Sequence, residues 1–245
     1  MGSHIPDSNA SMTSSVPVRR LALFDIDGTL IHTARAGVRG MNAAFRDLHG
    51  HEDALAGMTF AGRTDRAIVF EAFAQLGIDR SQAALDRLRD AYLAHLAIEL
   101  GHAVEGARVL PGVTGILDAL EGRSDVGVGL LTGNFERGAA IKLGHFDLWR
   151  RFGFGAFGDA HEDRRALVPI AIEGAEAATG VRIAPQDVVV IGDTPLDIDC
   201  ARAHGAVSVA VATGPYSAGQ LTEAGADVVI ETLEDTDALL RVLRR

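Results

Sequence analysis

The chain has 245 residues, of which 47% are apolar, and this suits one large domain or a core that carries a sizeable insertion. A formal net charge of -10, without any long basic block, argues against a protein that binds the nucleic-acid backbone. The single cysteine, Cys200, excludes an internal disulfide, and no apolar run approaches the ~20 residues of a membrane-spanning helix. We therefore predict a cytoplasmic protein with neither a nucleic-acid nor a membrane partner.

The first eleven residues, "MGSHIPDSNAS", have the composition of a vector remnant. We interpret residues 1–11 as an expression-tag remnant and Met12 as the natural start. His4 is therefore excluded as a metal ligand.

Five short apolar segments are too continuous to have one wet face, and this predicts buried strands of a mostly parallel sheet. They are "LALFDID", "VGVGLLTGN", "VVVIGD", "VSVAVATG" and "DVVIE", with "FGFGAFGD" as a weaker sixth. Helical patterns separate them at 113–121, 136–143, 167–178, 196–204, 218–224 and 235–243. This alternation predicts an α/β fold, a three-layer Rossmann-like core around a parallel sheet.

The interval between the first strand and Val126 breaks this rhythm, because it is far longer than one crossover helix requires. Three stretches within it have helical apolar spacing, and only "GMTFAG" resembles a strand. We predict that residues 35–108 form an inserted α-helical cap, with the core made of 12–34 and 109–245.

Polar side chains follow three of the predicted strands. Asp25 and Asp27 end the first, Thr132-Gly133-Asn134 ends the second, and Asp193 and Asp197 follow the third. In an open parallel sheet these ends meet at one edge, where ligands bind. So many carboxylates raise one another's pKa unless a hard divalent cation is bound, and Mg2+ is the predicted ion.

The ordered segments "DIDGTL", "LLTGN" and "VVVIGDTPLD" resemble motifs I, II and IV of the haloacid dehalogenase superfamily, in its phosphatase branch. The resemblance extends over the chain after Met12 and includes a helical C1-type cap, as in phosphoglycolate phosphatase relatives. It implies a Mg2+-dependent phosphatase that hydrolyses a small, phosphoglycolate-like monoester through an aspartyl-phosphate. A phosphomutase of the same fold and an inactive phosphate-binding module remain alternatives, whereas a dehalogenase would not need Asp27.

The resemblance also implies roles for individual residues. Asp25 would be the nucleophile, and Asp27 would be the general acid and base. Thr132, with the backbone at Gly133 and Asn134, would bind the phosphoryl oxygens of a small phosphorylated metabolite.

The metal ligands implied by the resemblance are Asp25, the backbone carbonyl of Asp27 and the motif IV residue Asp193. Asp197 would act on the metal through water or from behind the direct ligands.

The family uses a Lys or Arg as motif III to hold the phosphoryl group and the nucleophile. Between motifs II and IV the only lysine is Lys142, which lies close to motif II on a helical segment, so we set it aside. Arg164 and Arg165 lie at the expected place, and the surrounding pattern favours Arg164. Because adjacent helical residues point about 100° apart, we expect only one of them to face the site.

Arg63, in "FAGRTDRA" of the predicted cap, is flanked by a glycine turn. Because a cap loop contacts substrate in relatives, Arg63 is a candidate to bind a carboxylate or hydroxyl of the substrate, and a surface or capping role is the alternative.

Overall fold

The computed structural model describes residues 18–102 and 106–244. The interpreted remnant 1–11 and Met12 lie outside the described residues. Six strands form a parallel sheet: β1 Arg20–Phe24, β4 Val126–Leu131, β5 Gly155–Ala156, β6 Val188–Gly192, β7 Val207–Val211 and β8 Val228–Ile230. Their order in the sheet is β5-β4-β1-β6-β7-β8.

Both faces of this sheet are covered, which follows from the alternation of side chains along each strand. Ala22 and Phe24 of β1 belong to one hydrophobic cluster, while Leu21 and Leu23 belong to another on the opposite face. The predicted three-layer α/β core is confirmed.

Six helices cover the sheet at close to their predicted positions. They are α4 Val113–Glu121, α5 Glu136–His145, α6 Leu167–Thr179, α7 Pro195–Arg202, α8 Ala218–Glu223 and α9 Thr236–Val242. Helices α4, α5 and α9 contribute to the cluster on the Phe24 face, and α6 and α7 contribute to the cluster on the Leu23 face.

Three helices between β1 and α4 form a hydrophobic cluster of their own. They are α1 Ala36–His49, α2 Asp65–Leu76 and α3 Gln82–Gly101. One residue that follows β4, Phe135, joins this cluster and packs against Tyr92 with 6.3 Å between ring centroids. The helical unit therefore packs directly on the loop that follows β4. We refer to it below as the cap.

Two short strands, β2 Ile31–His32 and β3 Arg108–Val109, pair antiparallel where the chain enters and leaves the cap. They lie beside the bounds 35 and 108 proposed from the sequence, and the exact division stays an interpretation. The segment "GMTFAG" is not a strand but a loop, because Gly57 and Gly62 have positive φ angles of 74° and interrupt any extended run. Within residues 18–102 and 106–244 no helix is long and apolar enough to cross a membrane.

Candidate active site

The candidate site lies at the carboxyl-terminal edge of three adjacent strands, where Asp25 follows β1, Thr132 follows β4 and Asp193 follows β6. A cavity of about 650 Å³ lies between this edge and the cap. Eight residues singled out from the sequence line it: Asp25, Asp27, Arg63, Thr132, Gly133, Asn134, Arg164 and Asp193.

The loop after β1 places its two aspartates in different environments. The strand ends at Phe24, and the backbone N–H of Asp25 still donates to Ile191 O of β6 at 2.9 Å. Asp25 is buried. The side chain of Asp27 is 41% exposed. Gly28 turns the chain with φ 86°, and a Cβ there would collide with the carboxylate of Asp193. Glycine is thus required both for the turn and for the close approach of Asp193.

Arg164 holds the buried carboxylates together. It begins a short 3-10 turn before α6, and its side chain is 5% exposed. Its Nη2 lies 3.0 Å from Asp25 Oδ1 and 2.5 Å from Asp197 Oδ1. Arg165, by contrast, is 56% exposed and pairs with Asp163 at 2.8 Å. Only Arg164 of this pair faces the site.

Both carboxylate oxygens of Asp197 already have partners. Oδ1 accepts from Arg164, and Oδ2 accepts from the backbone N–H and the hydroxyl of Thr194 at 3.1 and 2.7 Å. Its carboxylate still lies within 4.8 Å of those of Asp25 and Asp193. The geometry therefore gives Asp197 the role of orienting Arg164 and capping α7, while its predicted contact with a metal stays a prediction.

Burial and like charge dominate the electrostatics of this cluster. Burial raises the pKa of Asp25 to about 6, against the opposing effect of Arg164, and nearby Asp197 adds to the rise. Burial, with Asp25 and Asp197 close by, raises the pKa of Asp193 well above its usual value. Clustered carboxylate oxygens are the ligands that a hard divalent cation prefers. Such a cation would offset both the cost of burying these charges and the repulsion between them.

The loop after β4 is ordered by side-chain hydrogen bonds. Asn134 Nδ2 donates to Thr132 Oγ1 and to Asp27 Oδ2, each at 2.8 Å. Gly133 O accepts from the backbone N–H of Asp65 at 2.7 Å, and a Cβ on Gly133 would collide with the backbone of Arg63. The cap therefore sits directly on the loop predicted to bind phosphate.

Sequence reasoning missed two buried charged residues beside this loop. Lys142 of α5 is 5% exposed, and its Nζ lies 2.6 Å from Asp27 Oδ2. Asp65, the first residue of α2, accepts from the backbone N–H of Phe135 at 2.9 Å, and burial raises its pKa to about 6. Lys142 carried one signal, as a lone lysine eight residues after Asn134. Asp65 had none, because an acid at a helix start is ordinary.

Arg63 lines the cavity, but its charge is already paired. Its Nη2 lies 2.6 Å from Glu71 Oε2, and its Nη1 donates to Thr59 O at 3.2 Å. A role in binding substrate stays a prediction, and it would require Arg63 to share or exchange these partners.

The cap side of the cavity includes an apolar wall beside the charged side chains of Arg35, Arg63 and Arg108. Val38, Met41, Leu55, Phe60 and Ile68 line it. A wall of this kind suits a ligand with an apolar portion.

Comparison with known proteins agrees with these features. Residues 22–202 match the family described as haloacid dehalogenase-like hydrolase. The chain is 28% identical to a phosphoglycolate phosphatase of Agrobacterium fabrum, over 89% of this chain and 91% of that protein. It is 29% identical to phosphoglycolate phosphatase 1 of Pseudomonas aeruginosa, over 88% and 78% of the two chains. The solved structure of CbbY from Rhodobacter sphaeroides in complex with phosphate superposes with a TM-score of 0.68, at 16% identity, over 89% of this chain and 96% of that one.

Proposed function

The chain belongs to the haloacid dehalogenase-like hydrolases, and from this premise we propose that it is a Mg2+-dependent phosphatase that hydrolyses a phosphate monoester through an aspartyl-phosphate on Asp25. The observation that carries the proposal is the ion pair between the buried Asp25 and Arg164 at the carboxyl-terminal end of β1. A carboxylate fixed in this way suits nucleophilic attack, since its orientation is set before the substrate arrives.

The residues divide the reaction between them. Asp25 attacks phosphorus, and the bond between phosphorus and the leaving oxygen breaks while Asp27 gives that oxygen a proton. Water then attacks the aspartyl-phosphate, Asp27 takes its proton, and Asp25 leaves as a carboxylate. Arg164 and Thr132 hold phosphoryl oxygens, the guanidinium through charge-assisted hydrogen bonds.

Asp25, Asp193 and the backbone carbonyl of Asp27 would hold the metal ion. When bound, Mg2+ supplies charge neutralisation for the phosphoryl group and for the clustered carboxylates. Asp197 supports this arrangement by fixing Arg164 and the start of α7.

The substrate is proposed to be a small phosphorylated metabolite, and phosphoglycolate is the first compound to test because two relatives carry its name. The cavity favours a second candidate class. Pockets of about 300–1,000 Å³ hold drug-sized ligands, so a cavity of about 650 Å³ with an apolar wall has room for an alcohol much longer than glycolate. A phosphate ester with a short apolar chain or ring fits that wall.

The test is release of inorganic phosphate from a panel that contains phosphoglycolate and esters of longer, apolar alcohols, with and without Mg2+. We expect Mg2+-dependent release, lost by at least about 1,000-fold in Asp25→Asn because the nucleophile is gone. Conversion of a sugar phosphate into its isomer, without phosphate release, would favour the mutase. Mg2+ binding without any turnover would favour the inactive module.

A further inference from the structure

Lys142 is the only lysine of the chain, against 22 arginines, and it is buried in the candidate site. Lysine is almost never fully buried unless it is paired. Its ammonium nitrogen is paired with the carboxylate of Asp27 at 2.6 Å. A buried lysine whose partners lie in the candidate site is expected to have a function there.

The position of Lys142 on α5 explains how it reaches the site. The helix starts at Glu136, directly after the loop that contains Thr132 and Asn134. Lys142 lies in the second turn of α5, eight residues after Asn134, and is therefore close to that loop. Helical side chains point toward the amino terminus, which brings its ammonium back to the loop.

The contacts of Lys142 converge on one oxygen of Asp27. Its Nζ donates to Asp27 Oδ2 and to Asn134 Oδ1, each at 2.6 Å. Asn134 Nδ2 also donates to Asp27 Oδ2, at 2.8 Å, and Thr132 Oγ1 holds the same amide. Two donors that are themselves locked together therefore fix the carboxylate of Asp27 in one orientation.

The other oxygen of Asp27 is left for the reaction. Within residues 18–102 and 106–244 no group donates a hydrogen bond to Oδ1, and the side chain faces the cavity, which Lys142 also lines. One oxygen is thus anchored, and the other is left free to exchange a proton in the cavity.

We propose that Lys142 is a positioning residue for the acid–base step, one that anchors Asp27 Oδ2 so that Oδ1 exchanges a proton with the leaving oxygen and then with water. The proposal rests on the proposed function. It differs from the role of Arg164, which contacts the nucleophile Asp25 and not Asp27.

The test compares two esters that differ in their need for a proton. An aryl ester such as p-nitrophenyl phosphate leaves without protonation, whereas an alkyl phosphate needs the general acid. General acid–base catalysis contributes about 10²–10⁴-fold, so we expect Lys142→Met to lose roughly 100-fold or more in kcat/KM on the alkyl ester, since kcat/KM reports the steps up to release of the alcohol. On the aryl ester the loss of kcat/KM should stay below about 10-fold, whereas kcat can fall on both esters because hydrolysis of the shared aspartyl-phosphate also uses Asp27.

Two variants serve as controls. Ile141→Met changes packing on the same helix, toward the cap cluster, without touching Asp27, and should leave both esters unaffected. Lys142→Arg keeps the charge but changes the donor geometry, and should recover part of the alkyl activity. An equal loss of kcat/KM on both esters in Lys142→Met would overturn the positioning role.

A second measurement does not depend on activity or on the folding of Lys142→Met. Because the chain has one lysine, 15N-lysine labelling gives a single side-chain ammonium signal in the wild-type protein. We expect that signal to be protected from exchange with water and to shift in Asp27→Asn, with no shift in Ile141→Met. An exposed, unshifted ammonium would contradict the contact itself. Absence of phosphate release from either ester by the wild-type protein would instead overturn the proposed function, and the role of Lys142 with it.

Discussion

Arg164 and Arg165 are adjacent in the chain, but only Arg164 is buried among carboxylates. Removing one partner of a buried ion pair leaves an uncompensated charge and costs about 3–5 kcal/mol. We therefore expect Arg164→Ala to lower the free energy of unfolding by that amount and kcat/KM by at least about 100-fold. Urea unfolding and steady-state kinetics measure the two effects.

Arg165→Ala is the matched control for this prediction. Its guanidinium is exposed and pairs with Asp163 on the surface, so both unfolding and turnover should match the wild-type protein. Equal losses of stability and of kcat/KM in the two variants would mean that the effect does not come from the buried ion pairs of Arg164.

A residue of the candidate site is predictable from sequence when the strand order alone positions it. It is not predictable when packing of a distant segment positions it. Asp25, Thr132 and Asp193 follow strong strand patterns, so the sheet topology alone brings them to one edge. Asp65 reaches the site only because the cap packs back on Gly133 and Phe135. No local pattern encodes that contact. Lys142 was set aside as the motif III cation because it lies close to Asn134 in the sequence. That closeness is what lets its ammonium reach the loop after β4.

At the scale of elements, Thr64 links helix α2 to the core. Its hydroxyl accepts from the N–H of Ala67 as an N-cap at 3.2 Å, and it donates to Glu162 O at 3.1 Å. Loss of an N-cap costs about 1 kcal/mol. We expect Thr64→Ala to lose about that much stability and also to raise KM several-fold, because the cap is then less firmly seated on the loop before Arg164.

Ser81 provides the comparison, since it caps α3 through the N–H of Ala84 at 3.3 Å, but its hydroxyl makes no hydrogen bond to the core among the described residues. Ser81→Ala should cost a similar free energy of unfolding and leave KM unchanged. If both variants change KM alike, general loosening of the cap explains the kinetics, and the contact of Thr64 with Glu162 does not.

Element prediction succeeded where a long apolar or periodic run existed, as in β6 and in α6, because burial sets those patterns. It missed β2 and β3, which have two residues each and pair across the whole cap. The predicted strand segment "LALFDID" runs to Asp27, whereas β1 ends at Phe24, and both aspartates follow the strand. A strand of two residues is too short to show the alternation of apolar and polar residues that predicts a strand.

At the scale of the whole molecule, buried acids make the metal-free protein sensitive to pH. Burial raises the folded-state pKa of Asp25 and of Asp65 to about 6, and it raises that of Asp193 well above its usual value. The folded state therefore binds protons more tightly than the unfolded state. The contribution of these acids to stability is fully present below about pH 4 and is lost as the pH rises through about 6 and above.

Magnesium should reverse that loss, because it binds the deprotonated carboxylates of the folded state. At a concentration 100-fold above Kd it would add about 2.7 kcal/mol, or roughly 5–10 °C in Tm for a chain of this size. Thermal unfolding at about pH 7.5 should show this rise, and at about pH 5 the rise should be much smaller because protons compete for the same oxygens. Asp193→Asn should lose this rise in Tm.

Asp65→Asn is the matched control, because it removes a buried acid outside the cluster of Asp25, Asp193 and Asp197. It should keep the rise in Tm with Mg2+ while weakening the dependence of stability on pH. A rise that is equal at both pH values, or one that survives in Asp193→Asn, would place the ion elsewhere on the molecule.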